Sequence, residues 1–342
     1  MRLPRKILII GAALTVLAGL NLLFEHGFGD FQINAYYARI INLIGINITL
    51  AVSLNLINGL AGQFSIGHAG FMAVGGYTAT FVTVYYGRAI AAALGGSLDS
   101  AGGAAPVMIV SLIAGALASA VAGLTVGIPS LRLRGDYLAI VTLGFSEIIR
   151  VIILNIPSVG GATGFTDAIP ITNFFWIFAV ALLTIVIVRN IATSTFGRVL
   201  ATIRGDEIAA EAMGVNTTRY KVLAFVISAA LAGVAGGLSG QLFANPLNPQ
   251  NLNFVRSIEI IVMIVIGGIG SISGAVFGAT TLTILPEALR TVDQQYPGMR
   301  MVVYALLLIL TMIFRPQGLF GRREFTLPRW RRSPPAATGS VR

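Results

Sequence analysis

The sequence predicts an all-α integral membrane protein of about ten transmembrane helices, and three observations carry that reading. The chain has 342 residues, 56% hydrophobic and only 11% charged, with a mean hydropathy of +0.85. A soluble domain carries about 25% charged residues, so this composition suits lipid. Its apolar residues also fall into runs long enough to cross a hydrocarbon core of about 30 Å. Finally, many of its 40 glycines are spaced in fours instead of scattered, which suits helices that pack through close backbone approach.

Taken in order, the expected spans are 6–24, 37–59, 64–86, 105–128, 135–155, 173–189, 220–243, 255–270, 272–289 and 299–314. The stretch from Arg2 to Phe24 has the basic start of a secretory signal, but its apolar run is long for one. No small-x-small cleavage site precedes the next span, so a retained first span is expected. The 64–86 segment is too rich in glycine for a uniform helix. Residues 1–314 read as one transmembrane domain and 315–342 as a basic, partly disordered tail, rich in Pro and Arg and with little apolar periodicity.

The +10 net charge is distributed by side. With the N-terminus inside, the cytoplasmic segments hold Arg2, Arg5, Lys6, Arg132, Arg134, Arg189, Arg198, Arg204, Arg219, Lys221 and seven arginines from Arg315 onward. That is 17 of 23 basic residues, the asymmetry expected of inside loops. Both termini are therefore expected in the cytoplasm. The charge favours anionic lipid over nucleic acid as a partner.

Ser111, Gly115, Ser119, Gly123 and Gly127 form a ladder on one helix face. Ala229, Gly233 and Gly237 form a second, beside Ala232, Gly236 and Gly240, and Gly270, Gly274 and Gly278 a third. All three read as helix packing. The stretches Gly59-LAG-Gln63-F-Ser65 and Gly267-GIG-Ser271-I-Ser273 are alike and open later segments of two halves. Paired, glycine-interrupted spans hint at an inverted repeat with broken helices.

Between the sixth and seventh spans lies a charged stretch, 190–221, with a short helix at its centre. Gly205 is expected to cap it, Asp206 and Glu207 to suit its N-terminal dipole, and Gly214 to close it. Ile208 and Ala212, and Ala209 and Met213, make a small apolar face opposite Glu207 and Glu211. So short a helix is marginal alone and gains from docking on another protein.

Glu211-Ala212-Met213-Gly214, just before a span, resembles the EAA-type coupling loop of ABC importer permeases, with Met213 in place of the second alanine. The wider stretch GRVLATIRGDEIAAEAMGVNTTRYKVLAF is similar to the loop of the Liv-type, branched-chain amino acid permeases of the M type. GLAGQFSIGHAGFMAVGGYTAT, LRGDYLAIVTLGFSEIIR, IGGIGSISGAVFGA and FRPQGLFG extend the resemblance over most of the chain, in order. It implies a type II ABC importer-like fold, with segments 2–5 and 7–10 as related halves, in the bacterial cytoplasmic membrane. It also implies a second, H-type permease, two cytoplasmic ATPases, an extracytoplasmic binding protein and an amino-acid substrate. Glu211, Ala212 and Gly214 would carry the coupling to the ATPases, with Ile208 and Met213 as docking contacts.

No enzyme chemistry is legible. Cysteine is absent, and the two histidines, His26 and His68, are too few and too far apart for a metal site. A phosphate loop needs a G-K-[ST] sequence, but Lys6 follows Arg5 and Lys221 follows Tyr220. No cofactor is expected, and the ATP that drives transport would bind partner subunits. Inside the spans, Gln63, Ser65, His68, Thr142 and Glu147 are the candidates for the translocation path. Glu147 and Arg150 are spaced to pair, as are Arg256 and Glu259, and a structural ion pair is the stronger reading for Glu147. An ion-coupled transporter would use such carboxylates but needs no charged 190–221 loop. Related permeases carry urea, short amides or aromatic acids, which stay open as substrates.

Reporter fusions test the topology. Those after Gly87 and Gly161 are expected outside and those after Gly197 and Arg322 inside; an outside signal at Gly197 would contradict the assignment of the loop.

Overall fold

The computed structural model describes residues 11–21, 34–93, 95–98, 101–131, 133, 135–242, 247–290, 298–314 and 318–319. The basic N-terminus, Arg132, Arg134 and almost all of the tail lie outside them. The described residues are helical apart from turns and one isolated antiparallel bridge between Phe165 and Leu247.

In chain order the helices are α1 (Gly11–Asn21), α2 (Ala35–Asn55), α3 (His68–Phe81), α4 (Ala101–Ser130), α5 (Asp136–Leu154) and α6 (Phe174–Thr193). Then follow α7 (Thr195–Gly205), α8 (Glu207–Ala212), α9 (Thr217–Gly240), α10 (Phe254–Gly267), α11 (Ile272–Ala288) and α12 (Met299–Phe314). π-Helical turns extend α2 through Leu56–Leu60 and α3 through Val82–Tyr86, the second running on into a short helix, Gly87–Ala93. Among the described residues, six helices are long and apolar enough to cross a membrane: Ala35–Leu60, Gly103–Ser130, Tyr137–Leu154, Phe174–Thr193, Thr217–Gly240 and Pro249–Gly267. The expected spans 272–289 and 299–314 are helices of 17 and 16 residues. The expected span 64–86 becomes helical only at His68.

The centre of the bundle is α9, lying between α3 and α4. In lipid, apolar side chains gain little by leaving their surroundings, so contact must come from close packing. The small-residue ladders provide it. A methyl group on Gly115 would stand 2.7 Å from the Gly75 carbonyl oxygen, and one on Gly123 would stand 2.6 Å from Ala229 Cβ. A methyl on Gly236 would collide with the Met72 carbonyl, and one on Gly233 with Ser119. Side chains fix the register: Ser119 Oγ donates to the Phe71 carbonyl at 2.9 Å, and the buried Gln241 Nε2 donates to Thr83 and Ser111 at 3.0 and 3.1 Å. Phe71 and Phe225 meet edge to face, centroids 5.4 Å apart.

The two similar glycine stretches are both chain breaks. After α2 the chain is non-helical through 61–67. After α10 it turns at Gly268 and Gly270 before Ser271 caps α11 by accepting from the Gly274 amide at 3.0 Å. The third ladder is thus shorter than expected. Gly270 sits in the turn with φ of +96°, because the chain must reverse there, and only Gly274 and Gly278 pack on α10. The breaks touch each other. The buried Asn55 accepts from the Gly270 amide at 2.8 Å and donates to the Ser271 carbonyl at 3.1 Å, and Gly59 lies against Gly270.

Gly236→Val places three extra carbons where even a methyl has no room. It is expected to destabilise the purified protein by about 1–3 kcal/mol or more, read as a lower melting midpoint in detergent. Gly144→Val, on an exposed face of α5 with open space around it, serves as the control.

Candidate functional site

The 190–221 loop is more ordered than its charge suggests. Ser194 starts α7 by accepting from the Gly197 amide at 3.3 Å, and α7 buries Leu200 and Ile203 on its inner side. Phe196 and Tyr220 rings lie 5.3 Å apart, so the loop's two limbs close on each other. Gly205 was expected to cap the central helix, but it is the last residue of α7. The cap is Asp206, whose carboxylate accepts from the Ile208 and Ala209 amides at 2.9 and 3.0 Å. Asp wins because glycine has no side-chain acceptor for these orphan amides.

Gly214 closes α8 as expected. Its φ is +82°, its amide donates to the Glu211 carbonyl at 2.9 Å, and Val215 donates to the Ala210 carbonyl at 3.1 Å. These are the two bonds of a Schellman turn. Beyond Gly214 the chain enters α9, so one turn fixes the angle between α8 and the central helix.

The carboxylates of α8 point back at α9. Lys221, buried to 2% exposure, pairs with Glu207 at 2.5 Å, and Thr217 Oγ1 donates to Glu211 at 2.7 Å. Outward stand Ala209, Ala212, Ile208 and Met213, the last two 68% and 83% exposed. The helix is therefore clamped by its acidic face and presents its apolar one.

The intramembrane candidates divide differently. Ser65, His68 and Thr142 are buried, each with a partner in the protein. The Ser65 amide donates to Asn58 Oδ1 at 3.1 Å, His68 Nε2 lies 2.8 Å from Ser53 Oγ, and Thr142 Oγ1 accepts from the Ile66 amide at 3.1 Å. Gln63, half-buried, is at the break itself, its amide donating to the Ile57 carbonyl at 3.1 Å. Thr142 and Asn58 thus satisfy backbone amides that left their helix, whereas His68 pairs with a side chain of α2. Glu147 accepts from Arg150 Nε at 2.6 Å and from the Phe254 amide at 3.1 Å, which ties α5 to the start of α10. Arg256 pairs with Glu259 at 2.8 Å and donates to Asn47, which donates to Thr283 on α11.

Three residues escaped the sequence reading. Asn55 could have been suspected, since an amide in an apolar run is costly unless it is paired. Thr217 and Arg204 carried no signal: Arg204 donates to the Gly59 carbonyl, 145 residues away.

An all-helical bundle with internal breaks, a clamped polar loop and several helices long and apolar enough to cross a membrane defines the class as a multi-pass membrane protein. The matching family model, described as branched-chain amino acid transport system / permease component, covers residues 36–312. The chain belongs to that family. It is 33% identical over 326 residues to the high-affinity branched-chain amino acid transport permease LivM of Salmonella typhimurium, covering 84% of this chain and 71% of that one. It is also 40% identical over 131 residues to LivH of Escherichia coli, over 38% and 41% of the two chains. A solved chain described as a metal-chelate type ABC transporter in an inward-facing conformation matches with a TM-score of 0.43 at 14% identity, covering 91% of this chain and 98% of that one. That likeness is too weak to support an argument.

Removing one partner of a buried ion pair strands the other charge. Lys221→Met is expected to destabilise the protein by about 2–3 kcal/mol, reduced by the partial exposure of Glu207. Lys221→Met with Glu207→Leu is expected to recover part of that loss, measured as a double-mutant cycle on thermal midpoints.

Proposed function

We propose that this chain is the M-type permease of an importer for branched-chain or other hydrophobic amino acids, working by alternating access. Its partners in this reading are an H-type permease, two cytoplasmic ATPases that bind the ATP, and an extracytoplasmic binding protein. The relatives' names support the substrate class, and the absence of a lysine-bearing phosphate loop from the sequence supports borrowed ATPases. Ten spans with both termini cytoplasmic, two inversely related halves and a separate basic tail from 315 complete the proposal. The similar breaks at 59–65 and 267–273 support the halves.

The single observation that carries the coupling role is α8. It is capped at both ends, held by Lys221 and Thr217, and turns Ile208, Ala212 and Met213 outward. Asp206 and Gly214 set its ends, and Glu207 and Glu211 hold it to α9. An ATPase groove that receives the apolar face would move α8 and the central helix as one. In this proposal Gln63, Ser65, His68, Thr142 and Glu147 line or flank the path. In the conformation described here they hold the first break and the α5–α10 contact, so transport requires those bonds to exchange.

Gly214→Val forces a β-branched residue to positive φ, which costs about 1–2 kcal/mol or more. A Cβ there would meet nothing within 4 Å beyond its chain neighbours, so the strain is that of the backbone conformation. With Glu211→Lys, which loses the Thr217 bond, it is expected to reduce ATP-driven uptake in vesicles at least fivefold. Insertion and the binding protein's ligand affinity should be unchanged, and Glu324→Lys in the tail should behave as unsubstituted protein. Normal uptake in both loop variants, with ATPases still bound, would contradict the coupling role.

A further inference from the structure

Arg204 sits where three separate parts of the chain converge. It lies in the last turn of α7, two residues before the Asp206 cap of α8. Its guanidinium donates to the Gly59 carbonyl in the π-helical turn that ends α2. Gly59 in turn lies against the Gly270 backbone, so that a methyl group on it would be 2.7 Å from the Gly270 nitrogen. A methyl on Gly270 would come within 3.0 Å of the Arg204 guanidinium. On the other side, Gly62 holds φ of +68° and faces the Arg204 stem, where a methyl would come within 2.6 Å of Cγ. One side chain thus touches both breaks from the loop.

Chemistry makes the carbonyl of Gly59 a suitable handle. A π-helical turn displaces backbone bonds from their usual register, and Gly59 is buried, where a carbonyl without a partner is costly. A charge-assisted donor binds it about twice as strongly as a neutral one. Asn55 then links the first break to the second through both its amide atoms. A cavity of about 260 Å³, lined by Leu60, Ala201, Arg204, Gly205 and Gly270, lies beside the contact. Leu60 and Ala201 thus border open space between α7 and the end of α2, while the Arg204 stem packs on Gly62.

We propose that Arg204 is the positioning residue that delivers movement of the coupling segment to the paired breaks, making the two discontinuous helices respond to the loop as one unit. This rests on the coupling role proposed for α8. It adds a second attachment: Lys221 and Thr217 fix α8 to the central helix, while Arg204 fixes α7 to the breaks.

The test uses the full complex in proteoliposomes, with ATP hydrolysis and amino-acid uptake measured on the same preparation. Arg204→Met keeps the stem and drops the donors. It is expected to leave the ATPases bound and hydrolysing at near the usual rate while uptake per ATP falls at least fivefold; Arg204→Lys, still a cationic donor, should recover part of the ratio. The chain contains no cysteine, so Leu60→Cys with Ala201→Cys can be joined across the cavity by a short bifunctional methanethiosulfonate. Joining them in the Arg204→Met protein should restore the ratio, and thiol reduction should remove it again. In protein with Arg204 intact the same link should leave uptake unchanged, because the parts already move together; this arm stands even if Arg204→Met fails to assemble. An unchanged ratio in Arg204→Met, lost uptake on linking the Arg204-intact protein, or release of the ATPases would each overturn the proposal. Failure of the underlying coupling role looks different: Gly214→Val would transport normally.

Discussion

Close backbone approach around α9 is the constraint on which the rest of the structure depends. Gly233 and Gly236 on α9 let it lie against α3 and α4 at distances that a single methyl group would prevent. A helix held this way has little freedom to slide or roll against its two neighbours, since interiors packed to this density shift discretely if at all. Ser228 extends the hold to α2 by donating to the Ser53 carbonyl at 2.6 Å. At the other end of the same helix, Lys221 and Thr217 grip α8. Loop, central helix and α2 therefore form one connected body.

The breaks create the opposite problem, because each releases backbone amides and carbonyls from helical pairing, some of them buried. Asn55, Asn58, Thr142 and Ser257 meet that need from four places, Ser257 accepting from the Ala69 amide at 3.2 Å. An unmet group in hydrocarbon costs several kcal/mol, so polar side chains here stabilise the irregular backbone and also limit where it can move. Thr142 and Glu147, two of the path candidates, are such partners of the backbone. A transport cycle that opens the bundle has to exchange these bonds for others, to substrate, water or new neighbours, and the family's function makes such exchange the natural use of a break.

What was legible in the sequence is what has a short period or a local cause. The ladders at 111–127 and 229–240 repeat every four residues, and Gly214 had to be the exit of a helix that Asp206 opens. The cap was misplaced by one residue because Gly205 and Asp206 both suit an N-cap, and only the actual end of α7 decides between them. Gly270 looked like a ladder residue because spacing cannot distinguish a helix face from the turn before it. The bounds of α11 and α12 were legible to within one residue, because the apolar runs there coincide with the helices. Contacts such as Asn55 with Gly270, or Arg204 with Gly59, join residues 215 and 145 positions apart. No pattern within a window predicts those.

The central claim is that α8 and the central helix move as one body. Spin labels at Ala209→Cys and Thr218→Cys, both exposed positions, test it most directly when their distance is measured in the assembled transporter with and without a trapped nucleotide. The account predicts a single, narrow distance distribution that is the same in both states. A shift or broadening on nucleotide binding would mean that α8 hinges at Gly214 and that the clamp of Lys221 and Thr217 does not hold.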